Sequence, residues 1–248
     1  MLASLISTGV AALAGTAAYQ AMAPWAQGFG RTFVSGAPGS KQIAFTYDDG
    51  PNDPHTLRLM DVLARHNVRA MFFLIGQYVR QRPDIVCDLV KAGHVVGNHT
   101  FTHPHLLVSS AVETRNQLAE CQSAVQEVTG ESPRLFRPPF GGRRPATLRI
   151  VRSLDMVPVM WNVTSWDWKT PGVEQIVQTC VRQIRGGDLI LMHDGSHIAM
   201  GADRSQTVIA TERLIERYKP EGFEFVTVPE MMERVAVSSQ SSAVGRQS

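Results

Sequence analysis

The chain has 248 residues, 44% hydrophobic and 19% charged, the composition of a globular protein with a substantial core. A net charge of +2 without a clustered basic patch argues against nucleic acid as a partner. The three cysteines, Cys87, Cys121 and Cys180, are odd in number and outside any CxxC pair, which argues against a disulfide framework and for buried or half-buried thiols.

Residues 1–30 contain no Lys, Arg, Asp or Glu. The segment 1–35 therefore reads as apolar and signal- or anchor-like, although it lacks the positive region that usually opens such segments. It points to an extracytoplasmic protein, with membrane association through residues 1–25; a loose or packed extension is the alternative. Residues 36–236 form the expected catalytic domain. Residues 237–248 are polar and Ser-rich and read as a disordered tail.

Within the domain, strand-like and helix-like segments alternate. The run QIAFTY (42–47) is a strand, followed by a helix over 53–67 with Leu57, Met60, Leu63 and Ala64 on one face. A strand over 70–76 precedes a helix over 82–94 that starts at Pro83, and a short strand covers 95–99. Ser and Gly bracket a long helix over 109–130. Strands at 134–139, 157–163, 188–193 and 223–228 alternate with helices at 145–155, 173–185, 206–219 and 229–235. About seven β/α units in a row imply a parallel sheet, and that number suffices to close a distorted TIM-like α/β barrel.

Chemistry in such barrels gathers at the C-terminal strand ends. There the sequence places Asp48 and Asp49, then His99 and His103, Arg137, Asp167 and Trp168, and His193. Two adjacent carboxylates at the end of a buried strand are costly unless cations surround them. His99 and His103, four apart, face one way on a helical turn. Two imidazoles and one carboxylate make a three-ligand set with an open position, the pattern of a catalytic zinc site. The other carboxylate is then free to act as general base on a water, and His193 to protonate the leaving group, in metal-assisted hydrolysis of an acyl bond. The ligand set also suits cobalt or nickel.

These segments resemble the five motifs of the polysaccharide deacetylases (NodB-homology domain, carbohydrate esterase family 4), in order and over roughly residues 40–230. The resemblance implies that in TYDDG Asp48 is the base and Asp49 a metal ligand, and that in HTFTH His99 and His103 complete the triad. In RPPFG, Arg137 would orient Asp48, and the Phe140 backbone N–H would stabilise the oxyanion. Asp167 would hold His193 protonated, Trp168 would wall the acetyl pocket and Leu191 would line it for the methyl group. Trp166 is a candidate sugar-stacking platform, and Trp161 reads as core. His55, His94 and His105 read as structural or exposed, and His197 as part of a solvated loop that could touch substrate.

This chain has Tyr47, Phe140, Thr164 and Met71 where the family usually has Phe, Tyr, Asp and a small polar residue. No catalytic group is lost. The implied substrate is an acetylated glycan, N-acetylglucosamine polymers first. An O-acetyl xylan esterase, a small-molecule amidohydrolase and a catalytically silent glycan-binding domain are the rivals.

Overall fold

As far as Asp48, every second residue of β1 (Gln42–Gly50) points the same way, and both faces of the strand are buried. Ile43, Phe45 and Tyr47 pack outward against helices, while Ala44 faces the interior of a curled sheet. The structure is a computed structural model and describes residues 15–244.

Around β1 stand β2 (Met71–Leu74), β3 (Val95–Asn98), β4 (Leu135–Phe136), β5 (Val157–Pro158), β6 (Val163–Thr164), β7 (Asp188–His193) and β8 (Glu224–Phe225). Their order is β5-β4-β3-β2-β1-β7-β6, and every pairing is parallel. β8 pairs with Gln42 and Ile43, below the point where β2 begins opposite Thr46. The result is a distorted TIM-like barrel, as the alternation of elements implies. Its seam lies between the edge strands β5 and β6, beside the start of β7. There Phe33 bridges to Val159, and the Gly36 N–H donates to the Gly187 carbonyl at 2.8 Å.

The helices are α1 (residues 15–22), α2 (His55–Arg65), α3 (Gly76–Gln81), α4 (Pro83–Lys91), α5 (Ala111–Thr129), α6 (Pro145–Ser153), α7 (Val173–Gln183), α8 (Ser205–Tyr218) and α9 (Val228–Val244). Local chemistry sets their ends. The Ser110 side chain accepts the Glu113 N–H to start α5, and Gly130, at φ 81°, stops it. Two apolar layers result. An outer one lies between sheet and helices. An inner one, with Ala44, Met71, Phe73, Val159, Leu189 and Met231, fills the barrel, and each large side chain in it contributes roughly 1.5–3 kcal/mol. Met71, one of the departures from the family pattern, belongs to that inner layer.

Several elements differ from the sequence reading. The strand expected over 157–163 is two strands, because β5 pairs with β4 whereas β6 pairs with β7. The strand expected over 70–76 ends at Leu74, and a short helix, α3, runs from Gly76 through 77–81, where the sequence suggests no element. The buried face of α2 is Thr56, Leu59, Val62 and Leu63; Ala64 is exposed, too small to pull its face inward. Residues 237–244, read as disordered, continue α9. Cys87, Cys121 and Cys180 are free thiols. No helix among the described residues is long and apolar enough to cross a membrane, and residues 1–14 of the anchor-like segment lie outside the described residues.

Candidate active site

Strand alternation alone would send Asp48 and Asp49 to opposite faces of the sheet. The backbone prevents this. The register with β2 slips between Asp48, opposite Phe73, and Gly50, opposite Leu74, and Asp49 between them sits at φ 73°. Such a bulge re-aims one side chain, and Asp tolerates the left-handed conformation better than most residues. Both carboxylates therefore reach the top of the barrel.

They find different partners there. Arg137 follows β4 and lies fully buried across the interior, its guanidinium over the Phe73 ring. Its Nη1 donates to Asp48 Oδ1 at 2.8 Å and to Thr46 Oγ1 at 2.7 Å, and Nη2 donates to the Met160 carbonyl. Asp49 Oδ1 lies 3.5 Å from His99 Nε2 and 3.3 Å from His103 Nε2. Asp49, His99 and His103 form a buried group able to hold a metal ion.

The histidines converge by a route the four-residue spacing did not reveal. Residues 99–103 are not a helical turn. They form a loop with Thr100 at φ 67° and His103 at φ 61°. Asn98 Oδ1 accepts the Thr100 N–H, and Thr100 Oγ1 accepts the His103 N–H. His99 Nδ1 is 2.8 Å from the Arg137 carbonyl, which makes it the N–H nitrogen and leaves Nε2 with its lone pair toward Asp49.

The donor set fits a divalent ion on the structure's own terms. Asp49 Oδ1, which both Nε2 atoms face, is buried without a hydrogen-bond partner. Burial and the neighbouring His99 push His103 down to about 3, so it is neutral and ready to ligate. Burial opposes the Asp49 charge, but His197, His103, His193 and His99 hold its carboxyl well below the usual carboxylate range.

Across the site, β7 sets His193 beside Asp48 in the strand register. Asp167 Oδ1 is 2.9 Å from His193 Nδ1, and Asp167 Oδ2 accepts the His193 backbone N–H at 2.7 Å. Ser165 and Thr207 donate to the same carboxylate. Burial disfavours a charged imidazole, but the Asp167 carboxylate outweighs it and lifts His193 to about 9. His193 Nε2 remains for a substrate.

The remaining residues form walls. Leu191 is buried on the same face of β7 as His193. Trp168 meets the His193 ring edge-on at 5.0 Å and Trp166 at 4.8 Å, and Trp166 is 45% exposed with Lys169 Nζ over its ring. On the opposite rim, Phe140 at φ 56° is 40% exposed and stacks on His105 at 3.9 Å. In its turn the Gly141 and Gly142 amides donate to Pro138 and Pro139, and the Phe140 N–H has no acceptor among the described residues. Thr164 Oγ1 accepts the Trp161 indole N–H at 2.9 Å.

Two groups escaped the sequence reading. His197 stacks on His103 at 4.4 Å, with Nδ1 3.9 Å from Asp49 Oδ2, so its loop folds back over the triad instead of standing in solvent. Asp194 is buried beneath the bulge, where Thr56 donates to it at 2.5 Å, and burial lifts it to about 7. A Cβ on Gly50 would lie 2.1 Å from Asp194 Oδ2, so only glycine fits there. The DDG and HD pairs were the available signals for this contact.

The polysaccharide deacetylase family model matches residues 35–159. The chain belongs to this family. It is 37% identical over 197 residues to a peptidoglycan-N-acetylglucosamine deacetylase of Bacillus cereus, covering 77% of this chain and 88% of that one. A chitooligosaccharide deacetylase of Sinorhizobium fredii is 35% identical over 206 residues, covering 81% and 96%. Among solved structures, a peptidoglycan N-acetylglucosamine deacetylase in complex with an N-oxidanyl-benzamide superposes with a TM-score of 0.76 at 32% identity, covering 81% and 92%. A family pseudoenzyme from Bacillus anthracis superposes at 0.74 and 29%, covering 81% and 68%. Membership in the family thus does not by itself settle activity, and the side chains in the site must carry that argument.

Proposed function

We propose that this protein is a metal-dependent hydrolase that removes acetyl groups from N-acetylglucosamine polymers, peptidoglycan or chitin-like oligomers. The observation that carries this reading is the division of labour between two adjacent aspartates. Asp48 is bound by Arg137, whereas Asp49 lies with two imidazoles and has a buried, unpartnered oxygen.

Asp49, His99 and His103 would hold the ion, most suitably zinc, with cobalt or nickel as alternatives. Such an ion acts as a Lewis acid on the acetyl carbonyl and lowers the pKa of a water. Arg137 fixes one oxygen of Asp48 and leaves the other to take the proton of the attacking water. The Phe140 N–H faces the carbonyl oxygen as it gains charge. His193, kept protonated by Asp167, gives its Nε2 proton to the leaving amine. Leu191 and Trp168 enclose the methyl group.

The exposed rings of Trp166 and Phe140 on opposite rims suit a sugar chain better than a small amide. A peptidoglycan substrate and the uncharged, apolar sequence ahead of residue 19 together support an extracytoplasmic location. The test is acetate release from peptidoglycan and from chitin oligomers by zinc-loaded protein. Release from either supports the reading, and none from any acetylated glycan sinks it.

A further inference from the structure

Arg143 is fully buried, and no carboxylate pairs with it among the described residues. A buried guanidinium without a counter-ion must spend its donors on carbonyls. Those carbonyls belong to the N-terminal segment: Nη2 donates to Ala23 at 2.6 Å and to Ala26 at 2.8 Å, and the Arg143 backbone N–H donates to Ala21 at 3.0 Å. The other arm reaches the Phe140 turn, where Nη1 donates to the Gly141 carbonyl at 3.3 Å.

That turn has two consecutive left-handed residues, Phe140 at φ 56° and Gly141 at φ 71°. Such a backbone persists only when its surroundings hold it. Trp161 closes one side, since a Cβ on Gly141 would lie 2.9 Å from that ring. Arg143 and the chain behind it close another. The N-terminal segment is fastened in turn, because Gln20 Oε1 accepts the Gly28 N–H at 2.7 Å and Arg152 Nη2 donates to the Arg31 carbonyl at 2.8 Å.

We propose that residues 19–26 act through Arg143 as a brace that sets the Phe140 N–H, so that Arg143 is a positioning residue for the oxyanion. This rests on the deacetylase reading, in which that N–H meets the acetyl oxygen. The N-terminal segment is then a working part of the site as well as a leader into the fold.

The test uses the full chain with zinc, and compares Arg143→Met, Arg143→Lys and Gln20→Ala. Arg143→Met should lower kcat on a chitin oligomer roughly 10–100-fold while KM stays within about twofold. Its zinc affinity should be unchanged, and Arg143→Lys should recover part of kcat. Hydrogen exchange at the Gly141 and Gly142 amides should accelerate about tenfold or more. A folded Arg143→Met protein with wild-type kcat and exchange overturns the proposal. If Arg143→Met does not fold, Gln20→Ala decides: exchange at the same amides about two- to fivefold faster supports the brace, and unchanged exchange overturns it. If the wild type releases no acetate from any glycan, the deacetylase reading fails, while the exchange result still decides whether the segment braces the turn.

Discussion

On one side of the site, Asp167 has both oxygens committed, to Ser165 and His193 on one and to the His193 backbone and Thr207 on the other. On the other side, Asp49 Oδ1, the oxygen nearest the two Nε2 atoms, is buried with nothing to bond. The first arrangement is complete as it stands, and its output is an imidazole held in its charged form. The second leaves an oxygen that a cation would satisfy. Buried polar groups are rarely left unpaired, so the unevenness of the hydrogen bonding sets the proposed acid apart from the proposed ligand.

Removing the acid should have the largest effect. His193→Ala should lower kcat about 10³-fold with zinc affinity retained. Loss of zinc affinity along with activity would mean that the two sides are not independent. Asp167→Asn comes next, at roughly 100-fold in kcat. The rate needs protonated His193 and falls as pH rises through its pKa. Without Asp167 that pKa drops, so the basic limb of the profile should move to lower pH.

The same shift bears on stability. Ion-free His193 titrates at about 9, above its unfolded value. Its contribution is full below about pH 6.5 and is lost as pH rises to about 9, on the order of 3 kcal/mol in all. Urea unfolding of chelated protein at pH 6 and pH 9.5 should show that loss, and His193→Gln should remove most of it. A divalent ion across the site lowers the His193 pKa, so zinc-loaded protein should lose this stability at lower pH. The smallest effect belongs to the rim. Trp166→Ala should raise KM on a sugar oligomer about 2–10-fold and leave kcat within about twofold. A fall in kcat instead would place Trp166 in the acetyl pocket.

The elements were legible where periodicity and caps were strong, as in α5 with its Ser110 and Gly130 ends. The site was legible because a parallel barrel gathers strand ends, so Asp48, His99, Arg137, Asp167 and His193 could be placed together without knowing a single contact. What stayed hidden depended on backbone geometry or on packing between distant segments. Nothing in FTYDDG announces the left-handed Asp49 that turns two neighbours the same way. The split of 157–163 depends on which strand each half pairs with. His197 looked like loop polarity because its partner His103 is far away in sequence. Arg143 drew no reading from the sequence, because its acceptors lie more than a hundred residues earlier.

The most direct test of the split between the aspartates is zinc affinity by chelator competition, with acetate release alongside, for Asp48→Asn and Asp49→Asn. Asp48→Asn should bind one zinc as the wild type does and release acetate roughly 10³-fold more slowly. Asp49→Asn should lose more than about 100-fold in zinc affinity. An Asp49→Asn protein that keeps its zinc, or an Asp48→Asn protein that loses it, would contradict the assignment of base and ligand on which this account stands.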